Sequence, residues 1–322
     1  MNSLMFLFLI PSRLQFLQPF ISYAAKCMQH KVVIFGGGGQ LGVELCRELE
    51  RRKWIVQRFD RQSLDVTDRA RVENAVAEAD PQFVINAAAY NQVDIAEQEP
   101  LAAFQANALA VRNLAMACRQ TGANLVHYST DYVFDGTKTT PYVETDPTRP
   151  LGAYAVSKLG GELYANAYLD NPLIIRTSGV FGPGGRFTPR GNFVELMLRL
   201  ANSNSPIRVV EDHVASPTYA PAIATRTTDL MERNITGLFH MGGGEPISWY
   251  AYARLIFEVA GLSPEIQATN EREYRTAARR PKYSALSNAK LESAGIRPMP
   301  RLREAVKDYF ERRKHATAHR SA

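Results

Sequence analysis

Tyr154 and Lys158 are four residues apart, and on a helix that spacing puts a phenol and an ammonium group on one face. Such a pair is a proton-transfer device: a fixed positive charge beside a tyrosine favours the phenolate and lowers its pKa toward working pH. Thr130 lies at the carboxyl end of the preceding apolar run, where its hydroxyl can hydrogen-bond the same substrate oxygen. An isolated Tyr-x-x-x-Lys is common on solvated helix faces, so the weight of this one comes from the elements that hold it.

Leu125 to Tyr128 read as a buried strand that gives way to a polar turn at Ser129, Thr130 and Asp131. Pro150 and Gly152 then precede a helix from Tyr154 to about Tyr168. Upstream, Lys31 to Phe35 is a short apolar strand followed directly by Gly36, Gly37, Gly38 and Gly39, and with Gly42 the run satisfies Gly-x-Gly-x-x-Gly. Gln40 and Leu41 open the next helix, which continues to Arg51 with Leu41, Leu45 and Leu49 on one stripe. Strand, glycine turn and helix in that order suit a dinucleotide: backbone N–H groups approach the pyrophosphate and the helix N-terminus favours its charge. Gly36, Gly39, Gln40, Leu41 and Gly42 are therefore expected cofactor contacts.

The second strand, Trp54 to Phe59, ends at Asp60, eighteen residues past Gly42. An acid there suits the ribose hydroxyls of NADH, while Arg58 and Arg61 on either side suit the 2′-phosphate of NADPH, so both cofactors stay open. Asp65 and Val66 lie where the adenine edge is expected. A helix from about Asp68 to Ala79 leads to a third strand, Phe83 to Ile85, which Asn86, Ala87, Ala88 and Ala89 close with small side chains. Those alanines suit backbone passing close to a cofactor, and equally tight packing of helix on sheet. Pro100 to Thr121 reads as one long helix in which Asn107, polar among apolar neighbours, supports the active-site water network.

The 322 residues are 45% apolar and 22% charged, an ordinary soluble composition, long enough for one large α/β domain or two that share an interface. The net charge of +6 sits at the ends, +2 in residues 1 to 30 and +3 in residues 311 to 322. The near-neutral body argues against a nucleic-acid surface. Cys27, Cys46 and Cys118 have no metal-binding spacing and the histidines form no cluster, so we expect no metal and a reducing, cytoplasmic setting. The apolar run Leu4 to Ile10 is too short to span a bilayer, so no stable membrane insertion is expected. Residues 1 to 27 read as a disordered extension or as an artefact of the start, with Met28 the natural one.

The glycine loop Gly36 to Gly42, Asn86 to Ala89, Asn107, Ser129-Thr130, and Tyr154 with Lys158 together resemble the extended short-chain dehydrogenase/reductases. More narrowly, GGGGQLG, NAAAYNQVDIAEQEP, VHYSTDYVFDG, Ser216 to Ala220 and Arg279 to Pro281 are similar to the dTDP-4-dehydrorhamnose reductases, from Met28 to about Phe310. The resemblance implies an α/β fold: a Rossmann-like doubly wound parallel sheet with a smaller interleaved α/β substrate-binding lobe. Residues 28–178, with return segments near 207–243, would bind NAD(P). Residues 179–206 and 244–310 would form the lobe, and 311–322 a basic tail.

The implied reaction is reduction of the 4-keto group of a nucleotide-linked deoxy sugar by NADPH or NADH, as in dTDP-4-dehydrorhamnose to dTDP-rhamnose. In it Tyr154 donates a proton to the forming alkoxide, Lys158 holds the nicotinamide ribose and keeps the tyrosine pKa low, and Thr130 orients the carbonyl. Val93, Asp131, Asn192 and Arg280 would touch the substrate, with Arg280 gripping its pyrophosphate. The partners implied are a nucleotide sugar and at most a second copy of the chain, as monomer or homodimer. Related dehydratases carry Thr-Asp-Glu where this chain has Thr130-Asp131-Tyr132, so the base for elimination is missing. Three departures bear on the sugar: Gly179 stands after Arg176-Thr177-Ser178 where the reductases usually have a tryptophan, the following loop is long, and Lys282-Tyr283 follows Arg-Arg-Pro. An epimerase holding NAD tightly, or an NADP-binding regulatory subunit, are the competing functions.

Overall fold

Near-continuous apolar runs suit strands covered on both faces. In the computed structural model, which describes residues 30–188, 191–203 and 206–318, these runs form β1 (Lys31–Phe35), β2 (Ile55–Phe59), β3 (Phe83–Asn86), β4 (Asn124–Thr130) and β5 (Leu173–Thr177). Further on come β6 (Ile207–Val210), β7 (Val214–Ala215), β8 (Gly237–Met241), β9 (Ile247–Ser248) and β10 (Ile266–Thr269). Six of them make one sheet in the order β2-β1-β3-β4-β5-β8, parallel throughout. The strand order turns back between β1 and β3, so a crevice opens at their carboxyl ends, where doubly wound sheets bind ligands. The interior strand residues Val33, Ile34, Phe35, Val84 and Ile85 are fully buried.

Helices cover both faces: α1 (Gln40–Arg51), α2 (Arg69–Ala79), α3 (Pro100–Phe104), α4 (Ala110–Thr121), α5 (Ala153–Tyr168), α6 (Phe193–Ala201), α7 (Ala220–Glu232), α8 (Trp249–Ala260), α9 (Ala289–Ser293) and α10 (Leu302–Ala318). Leu45 and Leu49 of α1 share a core with Ile223 and Leu230 of α7 and Tyr309 of α10. On the opposite face Val72 of α2, Leu114 of α4 and Ala165 of α5 pack on β1, β3 and β4. The single helix expected over Pro100 to Thr121 is interrupted: Gln105–Leu109 forms a π-turn between α3 and α4, with Asn107 inside it. Such a turn widens a helix locally and often marks a functional site.

The expected return of residues 207–243 to the main sheet is made by α7 and β8 alone. β6 pairs in parallel with β10, and β7 antiparallel with β9, so residues 207–215 pair outside the main sheet. The glycine- and proline-rich stretch expected to enter that lobe packs against α1 instead: the Gly184 N–H reaches Glu44 at 3.3 Å, and a Cβ on Gly184 would stand 2.9 Å from the Gln40 carbonyl. The expected extension at residues 1–27 and the start at Met28 fall outside the described residues. Among the described residues no helix is long and apolar enough to cross a membrane.

One buried ion pair locks α5 to the sheet. The Arg176 guanidinium of β5 donates to both Glu162 oxygens at 2.9 and 2.7 Å, and both side chains are 5% exposed. Removing one member of such a pair leaves an uncompensated charge in a low-dielectric interior. Glu162→Gln is therefore expected to destabilise the fold by about 3–5 kcal/mol, seen as a lower urea midpoint at unchanged m-value.

Candidate active site

Helix α5 begins without a cap of its own, because its N-cap residue is Gly152. Glu97 supplies the missing acceptor: its Oε1 takes the Ala153 N–H at 2.8 Å, and a Cβ on Gly152 would intrude to 2.5 Å of that oxygen. The first turn is also held from below. Asn107 accepts from the Tyr90 N–H at 2.8 Å and donates to the Tyr90 carbonyl and the Ser157 hydroxyl, each at 2.9 Å. Ser157 in turn donates to the Tyr154 carbonyl at 2.7 Å. Asn107 is thus spent on tying the loop after β3 to α5, a role different from the expected support of a water network.

Thr130 and Tyr154 meet as expected from their order, the Thr130 hydroxyl lying near enough to the Tyr154 phenol to pull its pKa down. Thr130 also donates to Asp131 at 3.1 Å. Asp131 is buried and accepts two further hydroxyls on Oδ2, from Ser178 at 2.8 Å and Ser284 at 2.5 Å. Burial pushes its carboxyl up to about 6, against the pull of these hydrogen bonds from Ser284, Ser178 and Thr130. Its oxygens are therefore engaged within the protein, which removes it from the expected substrate contacts.

The expected electrostatics of the Tyr–Lys pair are reversed here. The Lys158 ammonium donates to the Tyr128 carbonyl at 2.5 Å, and burial lowers its pKa to about 8. Part of the Tyr154 ring is exposed, yet its hydroxyl end is desolvated, and burial raises its pKa above the ordinary tyrosine range, opposed by the Thr130 hydroxyl. Desolvation outweighs the attraction that the four-residue spacing suggests. Tyr132 stands edge-on to Tyr154, ring centroids 6.1 Å apart, where a dehydratase would carry its acid. Val93, Tyr132, Tyr154, Arg279 and Pro281 line a small cleft at this point.

A dinucleotide fits the crevice beside these residues. Gly36 has φ +81°, and a Cβ on it would stand 2.4 Å from the Ala88 nitrogen; one on Gly42 would stand 2.1 Å from the Gly36 carbonyl oxygen. Gly39 caps α1 in extended conformation with no side chain, leaving the first-turn N–H groups of Gln40, Leu41 and Gly42 without a side-chain cap. Ala87 and Ala88 form the opposite wall, whereas Ala89 is exposed beyond it. Asp60 spends Oδ1 on the Gln62 and Ser63 N–H groups at 3.0 and 2.9 Å, leaving Oδ2 toward Gly38. Arg58 is exposed, and Arg61 is 89% exposed with Asp65 3.8 Å away. The Asp65 carboxylate caps Thr67, and Val66 is buried against the sheet.

Two more expected substrate contacts are held by the protein. Asn192 caps α6 through the Glu195 N–H at 3.0 Å and donates to the Gln40 side chain at 2.8 Å, while Gln40 reaches the Val180 carbonyl. Arg280 forms a two-pronged pair with Asp94 at 3.0 and 2.7 Å, so its neighbour Arg279 is the arginine that lines the cleft. Glu97, Ser178, Ser284 and Asp94 were missed by sequence reasoning; of these only Glu97 and Asp94, two acids in one short motif, carried any signal. In the second lobe Asp212, His213 and Glu271 come within 4.8 Å of one another, with Lys282 at 3.4 Å from Glu271 as a counter-charge.

A family profile described as "RmlD substrate binding domain" matches residues 30–315. The dTDP-4-dehydrorhamnose reductase of Burkholderia thailandensis is 38% identical over 293 residues, covering 86% of this chain and 96% of that protein. The chain belongs to the dTDP-4-dehydrorhamnose reductase family. Its resemblance to the Bacillus subtilis spore coat polysaccharide biosynthesis protein SpsK is as close, 38% over 286 residues, 89% of this chain and 99% of that one. The crystal structure of the Bacillus anthracis dTDP-4-dehydrorhamnose reductase in complex with NADP superposes with a TM-score of 0.84 at 34% identity, over 88% of this chain and 100% of that chain.

The glycine contacts give a direct test of the cofactor crevice. Gly42→Ala is expected to weaken NADP(H) binding more than about tenfold in a fluorescence titration, because the turn cannot close around the new methyl. Gly122→Ala, at φ +79° with nothing within 4 Å, is the control. It is expected to cost about 1 kcal/mol of stability and leave cofactor affinity unchanged.

Proposed function

We propose that this chain reduces the 4-keto group of a nucleotide-linked 6-deoxy sugar, on the pattern of dTDP-4-dehydrorhamnose to dTDP-rhamnose. The observation that carries the reading is the placement of Thr130, at the carboxyl end of β4, near Tyr154 and buried Lys158 of α5, next to a crevice shaped for a dinucleotide. When bound, the nicotinamide supplies the hydride. NADPH is the better fit, since Asp60 is partly committed to its own turn and the two flanking arginines are exposed to solvent. The NADP complex of the Bacillus anthracis relative supports the same choice.

Burial keeps Tyr154 protonated across the neutral range, which is the state that can donate to a developing alkoxide. Thr130, whose hydroxyl hydrogen rests on Asp131, turns that donor to the same oxygen as negative charge develops there. Lys158, held on the Tyr128 carbonyl one helical turn from Tyr154, supplies a positive charge that attracts negative charge forming in the site. The elimination run by dehydratases lacks its base, because Tyr132 replaces the acid and Asp131 is consumed by three hydroxyls. For the domains, residues 30–178 with α7 and β8 make the cofactor half and the segments around β6, β7, β9 and β10 the sugar lobe. The buried free thiols of Cys46 and Cys118 support a reducing, cytoplasmic setting.

Tyr154→Phe is expected to lower kcat by about 10²–10⁴ with cofactor affinity intact. The pH profile of kcat/KM follows from two groups. Lys158 is cationic below its pKa of about 8, so activity falls as pH rises through that value. Asp131 is ionised above about 6, so the hydroxyl network loses its acceptor as pH falls through that value. Asp131→Asn should abolish the acid limb while leaving the alkaline one; a profile flat from pH 5 to 9 contradicts the assignment of both.

A further inference from the structure

A short turn after β3 carries two acids that reach opposite sides of the cleft. Residues Ile95–Glu97 form one turn of 3-10 helix, with Asp94 just before it. Its own backbone holds the turn: the Ala96 N–H reaches the Gln92 carbonyl at 2.8 Å and the Gln98 N–H the Ile95 carbonyl at 2.9 Å, and Ala96 is fully buried. Asp94 accepts the Ala278 N–H at 3.0 Å and takes the Arg280 fork on both oxygens. Glu97 accepts the Ala153 N–H at 2.8 Å, one residue before Tyr154. The two acids thus engage segments 184 and 56 residues away. All three pieces of chain meet at the small cleft, which is lined by Val93 and Glu97 from the turn, Gly152 and Tyr154 from the start of α5, and Ala278 and Arg279 from the segment after β10.

We infer that Asp94 and Glu97 are positioning residues, the two ends of a strut through which the Ala278–Arg280 segment sets the place of Tyr154. The strut stands on geometry alone, while its effect on rate rests on the reductase reading. A helix N-terminus presents N–H groups that its own backbone cannot pair, and Gly152 has no side chain to pair them, so the first turn of α5 is fixed by where Glu97 stands. A Cβ on Gly152 would come within 2.5 Å of that Glu97 oxygen, so a residue able to cap the helix itself would displace the strut. At the other end a planar guanidinium meets the carboxylate two-pronged, which fixes direction as well as distance. The Asp94 side chain is 44% exposed, so the pair adds little to stability and its consequence is orientation. A ligand entering the cleft bears on both ends at once, and a displacement of one end passes to the other through a turn too short to absorb it.

The strut is tested without turnover and then with it. Hydrogen exchange of the Ala153 amide is followed by NMR in wild type, Glu97→Ala and Asp94→Asn. Glu97→Ala removes the acceptor and is expected to speed this exchange; Asp94→Asn leaves Glu97 in place and is expected to speed it as well. Faster exchange confined to Ala278 in Asp94→Asn overturns the inference. Should Asp94→Asn fail to fold, Arg280→Lys, which keeps the charge and loses the fork, takes its place. Turnover of a dTDP-4-keto-6-deoxy sugar with NADPH is then measured per NADP-binding site. In Glu97→Ala kcat is expected to fall about tenfold to a hundredfold, with nucleotide-sugar KM and NADP affinity little changed, and Glu97→Gln, whose amide oxygen still accepts from Ala153, to recover most of it. The double variant Asp94→Asn/Glu97→Ala should be no slower than Glu97→Ala, because the strut is already cut. Unchanged kcat in Glu97→Ala, or losses that multiply in the double variant, overturn the inference and leave the reductase reading standing. A wild type that turns over no nucleotide sugar removes the reductase reading, and the exchange result then decides on the strut by itself.

Discussion

A carboxylate buried at the end of β4 governs the geometry of this site. Asp131 gathers three hydroxyls, from its own strand (Thr130), from the exit of β5 (Ser178) and from the segment before α9 (Ser284). In a low-dielectric setting each of these hydrogen bonds is stronger than in water, and losing Thr130 would leave Oδ1 without its hydroxyl donor. The consequence is that the catalytic strand end, the start of the glycine-rich loop and the carboxyl-terminal part of the lobe are fixed to one point. Thr130 is oriented because its hydroxyl donates to Asp131 while its oxygen accepts the Tyr132 N–H.

Helix α5 depends on a second set of long-range ties. Its N-terminus is capped by Glu97, its first turn is held through Ser157 by Asn107 in the π-turn, and its third turn is pinned by Glu162 to Arg176. Lys158 lies between the last two, its side chain buried against the Tyr128 carbonyl. A helix presenting a general acid must hold it within a fraction of an ångström, and three separate anchors within sixteen residues do that here. The opposite side of the cleft is lined by Ala278, Arg279 and Pro281, residues outside these anchors.

The features legible in the sequence are local ones. The glycine turn, the apolar strands and the Tyr154–Lys158 spacing depend on neighbours within about ten residues, and each stands in the expected place. What could not be read is long-range pairing by short polar side chains. Ser284 lies 153 residues from Asp131, and Arg280 lies 186 from Asp94, so nothing in local pattern tells which arginine of Arg279-Arg280 is already neutralised. Asp131, Asn192 and Arg280 looked like free substrate contacts because a polar residue in a motif gives no sign of its partner. The Tyr154 pKa departs from the expected direction for the same reason: spacing reveals the ammonium, but not that it binds the Tyr128 carbonyl while burial raises the phenol's pKa.

The most direct test of the account follows the hydrogen atom. Purified chain would be supplied with dTDP-4-keto-6-deoxy sugar and NADPH carrying deuterium at the transferable position, with product analysed by mass spectrometry and NADP quantified alongside. The account predicts one deuterium at sugar C4 and one NADP formed for each product molecule. Product without label, formed with no net consumption of NADPH, would contradict it and identify the chain as an epimerase on the same scaffold.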